Sequence, residues 1–198
     1  MKQFSQLGQD VFVANYFDFK RQGTYLEVGC GYASDINNTF QLEVELGWKG
    51  ISIDSNPNSL KGWYASRSNK ITITDAFALD YKGLVEGSPY SGEIDYLSLD
   101  LDESVRPCLD CLKMIPCQNI KVITIEHDFY DNRDEGNRQN QRDHLKSNGF
   151  ELVFADVCLE KHGSVEDWWI RKDIYEQKPI EKLSGVEYGK ALDRWKFI

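Results

Sequence analysis

The sequence predicts an α/β protein with a doubly wound, mostly parallel sheet of seven strands and helices on both faces. Three observations carry that expectation. Short apolar, β-branched runs alternate along the chain with stretches of helical composition, the pattern of repeated βαβ units. The run Tyr25-Leu26-Glu27-Val28 ends in a glycine turn, Gly29-Cys30-Gly31. A second apolar run, Gly50-Ile51-Ser52-Ile53, ends in Asp54, 23 residues beyond Gly31.

Taken in order, residues 8–19 read as a leading helix and 24–29 as the first strand. Residues 38–47 form a helix, with Asp35 or Asn37 as its cap and Gly47 as its stop. The second strand covers 50–54; Pro57 follows in a turn, and a helix is expected over 59–67. Residues 70–77 alternate and are β-branched, so they form the third strand. The fourth lies within 93–102, and a helix near 104–115 ends before Pro116. Residues 120–126, Ile-Lys-Val-Ile-Thr-Ile-Glu, are the most strand-like of all. A polar helix over 136–148 is capped by Gly149, residues 150–159 make a sixth strand, and Glu166–Ile170 begin or lie within a seventh. The segment 80–92, with Gly83, Gly87, Pro89 and Gly92, reads as one exposed loop. Residues 173–198 form a tail without a clear pattern.

A chain of 198 residues makes one domain with a real core. Its 23 basic and 32 acidic side chains give a net charge of −9. That balance disfavours nucleic acid and anionic membrane surfaces, both of which need clustered basic residues. A small-molecule or carbohydrate partner, neutral or cationic, fits better. The amino-terminal stretch lacks the unbroken apolar region of a signal peptide, and no run approaches a membrane span, so a cytoplasmic location is expected. The match of Asn37-Asn38-Thr39 to a glycosylation sequon is then coincidental. Five cysteines, an odd number, suggest reduced thiols. Cys108, Cys111 and Cys117 have the spacing of an incomplete zinc site but read more simply as buried thiols on a helix.

Gly29 and Gly31 allow a sharp turn and a close approach of backbone to ligand. An acidic residue at the tip of the next strand suits a ribose diol. Together they point to a nucleoside-containing cofactor lying across the carboxyl ends of the strands. A dinucleotide wants a third glycine for its pyrophosphate, and Ser34 stands there instead. Glu27, two residues before Gly29, is awkward beside a pyrophosphate but suits an ammonium group. S-adenosylmethionine, which carries an ammonium, a sulfonium and a ribose diol and no phosphate, is therefore favoured over NAD. The plainer alternative is a tight βα turn without a ligand.

The strand ends carry an unusually acidic set of residues. Asp75-Ala76 suits adenine, with a carboxylate for the exocyclic amine and a small residue leaving room for the ring; a helix cap is the competing role for Asp75. Asp100 and Asp102 share one face of a strand. They are candidates for the cofactor's amino group, for a substrate hydroxyl, or, with Asp128, for Mg2+ or another divalent cation. Methyl transfer to oxygen requires removal of the hydroxyl proton. His127 is the leading candidate base, with Asp100 and Asp128 as carboxylate alternatives; a hydrogen-bonded structural histidine is the competing reading. Trp168 and Trp169 read as packing residues.

The run Tyr25–Gly31, then Asn38-Thr39, Leu42-Glu43, Leu46-Gly47-Trp48-Lys49-Gly50 and Ile53-Asp54-Ser55-Asn56-Pro57, resembles FkbM-type methyltransferases. Ser5-Gln6-Leu7-Gly8-Gln9-Asp10 and Ile94–Asp100 are similar to that family as well. The chain departs from it at Leu101-Asp102-Glu103-Ser104, where a glycine is missing. The resemblance implies the Rossmann-like fold of class I S-adenosylmethionine-dependent methyltransferases, and O-methylation of a sugar or small molecule. It also implies cofactor contacts from Glu27, Gly29 and Asp54, with Gln9 approaching from the amino-terminal segment. An NAD-dependent oxidoreductase and a non-catalytic binding module remain the alternatives.

Overall fold

A computed structural model describes residues 2–101, 108–127, 129, 136–159 and 163–185. Its strands are β1 (Thr24–Val28), β2 (Lys49–Asp54), β3 (Lys70–Ile73), β4 (Ile94–Leu99), β5 (Ile120–Glu126), β6 (Phe150–Leu159), β7 (Gly163–Arg171) and β8 (Leu183–Ser184). They form one sheet in the order β3-β2-β1-β4-β5-β7-β6-β8. The first five run parallel, and β7 is antiparallel to both β5 and β6. The expected seven strands are joined by an eighth of two residues, Leu183–Ser184, which pairs with Phe154 and Ala155. So short a strand, inside a segment without alternation, leaves no periodic signal.

The helices α1 (Gln9–Tyr16), α2 (Phe40–Leu46), α3 (Trp63–Ser66), α4 (Tyr81–Glu86), α5 (Cys108–Met114), α6 (Asn137–Ser147) and α7 (Lys172–Gln177) complete the set. Strand alternation divides the core in two. Leu26, Val28, Leu97, Leu99, Ile123 and Ile125 face α4, α5 and α6 through Tyr81, Val85, Leu112 and Leu145. Tyr25, Tyr96 and Val122 face the other way, against Phe12, Val13 and Tyr16 of α1 and Leu42 and Leu46 of α2. The adjacent Trp168 and Trp169 enter opposite cores, so neither cages a ligand.

Several expected boundaries move for identifiable reasons. The helix expected over 59–67 splits into a 3-10 turn, Pro57–Leu60, and α3, because Gly62 between them is left-handed at φ +70. The third strand stops at Ile73, and Asp75 caps a 3-10 turn, Ala76–Ala78, by accepting from the Phe77 amide at 2.9 Å. Asn37, not Asp35, prepares α2: its Oδ1 accepts from the Phe40 amide at 2.7 Å. Gly47 ends α2 at φ 70, as expected.

The segment 80–92 is not one exposed loop. Asp80 caps α4 through the Gly83 amide, and Tyr81, Val85 and Tyr90 are buried. The Tyr90 hydroxyl donates to the Tyr25 carbonyl at 2.8 Å and accepts from the Ile51 amide at 3.0 Å, so it bridges β1 and β2. The glycines obscured an apolar pair spaced four apart, Tyr81 and Val85, which is a helical signal. All five cysteines are free, and Cys108, Cys111 and Cys117 are buried thiols. No described helix is long and apolar enough to cross a membrane.

Candidate functional site

A hollow of about 600 Å³ lies beyond the carboxyl ends of β1, β2, β3 and β4, within the size range of small-ligand sites. Glu27, Gly29, Gly31, Asp54, Asp75, Ala76 and Asp100 all line it. Gln9 does not. Its Oε1 accepts from the Leu7 amide at 2.9 Å, and its side chain turns toward the buried Glu166. Gln6, three residues earlier, lines the hollow instead. The lead-in is held by Asp10, whose carboxylate accepts from the amides of Phe4 and Ser5 and from the Ser5 hydroxyl. The motif around Gln9 is therefore a structural clasp that presents Gln6.

The two glycines have different tasks. A Cβ on Gly29 would stand 1.5 Å from the Asp100 carbonyl oxygen, so this glycine is required by the neighbouring strand end rather than by a ligand. Gly31, at φ +57, has nothing within 4 Å of where its Cβ would be; it faces open space. Asp54 secures the turn between them. Its Oδ2 accepts from the Gly31 amide at 2.8 Å and its Oδ1 from the Asn56 amide at 2.7 Å. Each carboxylate oxygen accepts about two hydrogen bonds, so Asp54 keeps capacity toward the hollow. Asp75 is exposed, with Oδ1 engaged as the cap, while Ala76 is buried beside it.

Glu27 forms the floor and is almost fully buried. Its Oε2 accepts from the Thr39 hydroxyl at 2.9 Å and the Ser52 hydroxyl at 2.7 Å, and lies 3.6 Å from an Arg67 guanidinium nitrogen. Burial lifts its carboxyl above the ordinary carboxylate range, with Arg67 opposing the rise. Nothing in the sequence marked Arg67. Ser52 did leave a trace, as a small polar residue between Ile51 and Ile53 on a buried strand.

His127 is not at the hollow. It is fully buried at the end of β5, and its Nδ1 accepts from the Phe129 amide at 3.3 Å. Its Nε2 lies 3.8 Å from Asp167 and 3.9 Å from Asp156. Burial pushes its pKa down to about 4 against the pull of those carboxylates. Among the described residues this trio has metal-ligand spacing, but its carboxylates are already engaged. Arg142 grips Asp167 at 2.7 and 2.8 Å and reaches Asp156 at 2.8 Å; Arg138 holds Asp156 at 2.6 Å. A cation would have to displace two guanidinium groups. Asp102 and Asp128, expected as metal ligands and, for Asp128, as a base, lie outside the described residues.

No family model matches the sequence, and no curated protein matches it. Solved structures do. The crystal structure of human methyltransferase-like protein 13 in complex with SAH matches with a TM-score of 0.57 at 13% identity, covering 96% of this chain and 87% of that one. The small RNA methyltransferase HEN1 matches with a TM-score of 0.53 at 12% identity, covering 92% of this chain and 28% of that one. The fold is that of the class I methyltransferases. Identities this low carry the methyltransferase fold and leave the chemistry to the residues of this chain. The hollow at the ends of β1 and β2 lies where this fold, like other open α/β sheets, receives ligands.

Proposed function

We propose that this chain is an S-adenosylmethionine-dependent methyltransferase that methylates a hydroxyl group on a small molecule or sugar. The observation that carries the reading is one hollow with Asp54 at the tip of β2, Glu27 on its floor and Asp75-Ala76 at its far side. The donor and acceptor chemistry fits the proposed cofactor. Asp54 takes the ribose diol, Asp75 the adenine amine, and Glu27 the ammonium group. Among the described residues that line it there is no Lys or Arg to face a pyrophosphate, and Ser34 stands where a dinucleotide wants its third glycine. The cofactor, when bound, supplies a methyl group already activated on a sulfonium.

What remains for the protein is to position the acceptor in line and to take its proton. Asp100 enters the hollow from the end of β4 and is the described carboxylate we assign to the acceptor's proton. His127 has no part in that step, because it is buried away from the hollow. Tyr32 and Ile36, exposed on the rim, offer apolar contact to an acceptor. The net charge of −9 favours a neutral or cationic acceptor over a nucleic acid. The resemblance to FkbM-type enzymes supports transfer to oxygen.

Calorimetry with S-adenosylmethionine, S-adenosylhomocysteine and NAD tests the cofactor; binding of NAD alone overturns the assignment. Mass spectrometry of a panel of hydroxylated acceptors, with magnesium or with excess chelator, tests the reaction. Cofactor binding without methylated product across the panel would favour a non-catalytic module.

A further inference from the structure

An extended buried polar network lies directly behind the hollow. Arg67, in the turn after α3, is buried, with its guanidinium 4.3 Å over the Trp63 ring. Its N–H groups reach Glu43 Oε2 at 2.7 Å, the Tyr25 and Thr39 hydroxyls at 2.7 Å each, Asn37 Oδ1 at 3.0 Å and the Ala33 carbonyl at 3.5 Å. A guanidinium has five N–H donors, and here all five have acceptors. Ala33, Asn37 and Thr39 belong to the segment 29–39 that wraps the hollow, so Arg67 braces that segment from behind.

The groups do not pair one to one. Two buried carboxyls, Glu27 and Glu43, face one guanidinium. Glu43 is saturated: Oε2 holds Arg67 and accepts from the Tyr25 hydroxyl, and Oε1 accepts from the amides of Ser68 and Asn69. The Thr39 and Ser52 hydroxyls and the Arg67 contact meet Glu27 on Oε2, the Asn37 side chain also hydrogen-bonds its carboxyl, and of the two carboxylates Glu27 alone lines the hollow. The carboxyl left without a guanidinium of its own is thus held at the hollow's floor, in a fixed orientation, where an incoming cation would meet it.

We propose that Arg67 is a positioning residue that sets the Glu27 carboxylate and the 29–39 segment to receive the ammonium end of the bound cofactor. This rests on the cofactor assigned above. Arg67 acts through Glu27 and touches no ligand itself. Its loss therefore weakens ligands that carry the amino-acid portion and spares those with adenosine alone, which engage Asp54 and Asp75.

The test compares S-adenosylhomocysteine with 5′-methylthioadenosine, which lacks the amino-acid portion, by calorimetry on the full chain. Arg67→Lys keeps the charge and loses the fork. It is expected to weaken S-adenosylhomocysteine about tenfold, the scale of one bond to a charged group, and to change 5′-methylthioadenosine by less than about threefold. In a Glu27→Gln background the same substitution should add nothing to this selectivity. Equal losses for both ligands, no loss for either, or an undiminished effect without Glu27 would each overturn the proposal. Failure of the unaltered protein to bind S-adenosylhomocysteine would instead overturn the cofactor assignment. Should Arg67→Lys not fold, Ser52→Ala removes a hydroxyl from the same Glu27 oxygen and must show the same selectivity for the proposal to stand.

Discussion

Two charged clusters stand at the sheet, one buried around Arg67 and one partly exposed around His127, and they have opposite electrostatic designs. Around Arg67, two carboxylates face one guanidinium, and Glu27 opens onto the hollow. Around His127, Asp156 and Asp167 face Arg138 and Arg142, while burial keeps the imidazole neutral near physiological pH. The first cluster has one more carboxyl than guanidinium groups, beside open space. The second is balanced, and none of its members lines the hollow. Acidic residues at strand ends therefore do not by themselves mark a ligand site. What separates the two is the count of counter-charges and the presence of a cavity.

The largest expected effect attacks that contrast directly. Arg67→Met strands two buried carboxylates and should cost about 3–5 kcal/mol of stability, whereas Arg142→Met, in a partly exposed cluster, should cost less, about 1–3 kcal/mol. Urea denaturation of both variants measures this, and a reversed order would break the comparison.

Acid sensitivity is expected from the second cluster. His127 titrates near 4 in the folded chain and near 6.5 when unfolded, so between those values the unfolded state binds the extra proton. Stability falls as pH drops through that window, by up to about 3 kcal/mol. His127→Gln should remove this part of the acid loss in denaturation curves taken from pH 7 to 4. It should also leave methyl transfer within about threefold of the parent, since general-base removal would cost about a hundredfold or more.

At the hollow, Asp54→Ala deletes an acceptor for the Gly31 and Asn56 amides as well as the proposed ribose contact. S-adenosylhomocysteine binding should weaken by about tenfold or more, read by calorimetry. An unchanged affinity would make Asp54 a turn-fastening residue only. The smallest effect is expected at the outer margin of the balanced cluster, where the Arg138 guanidinium stacks on Phe129 at 3.4 Å. Phe129→Ala should cost about 0.5–1 kcal/mol in a thermal melt and leave cofactor binding unchanged.

The first five strands and the hollow's main residues were legible because their signals are local. Apolar alternation marks β1 and β2, and a glycine turn and a terminal carboxylate mark their ends. Gln9 was misplaced because adjacent polar residues on a tight turn point in different directions, and only the clasp made by Asp10 decides that Gln6 faces the hollow. His127 was misplaced for a related reason. A histidine at the end of β5 has the chemistry of a base, yet α6, the next helix, and β7, more than 35 residues on, close over it, and local sequence does not show that packing.

By itself the sequence determined the order of the parallel strands' elements and the carboxylates at their tips, because backbone periodicity and glycine conformations are properties of short segments. Only the tertiary structure decided which of those charges are neutralised and which face open space. Arg67 lies 40 positions from Glu27 and Arg142 lies 25 from Asp167, and pairing across such separations is set by the packing of helices against the sheet.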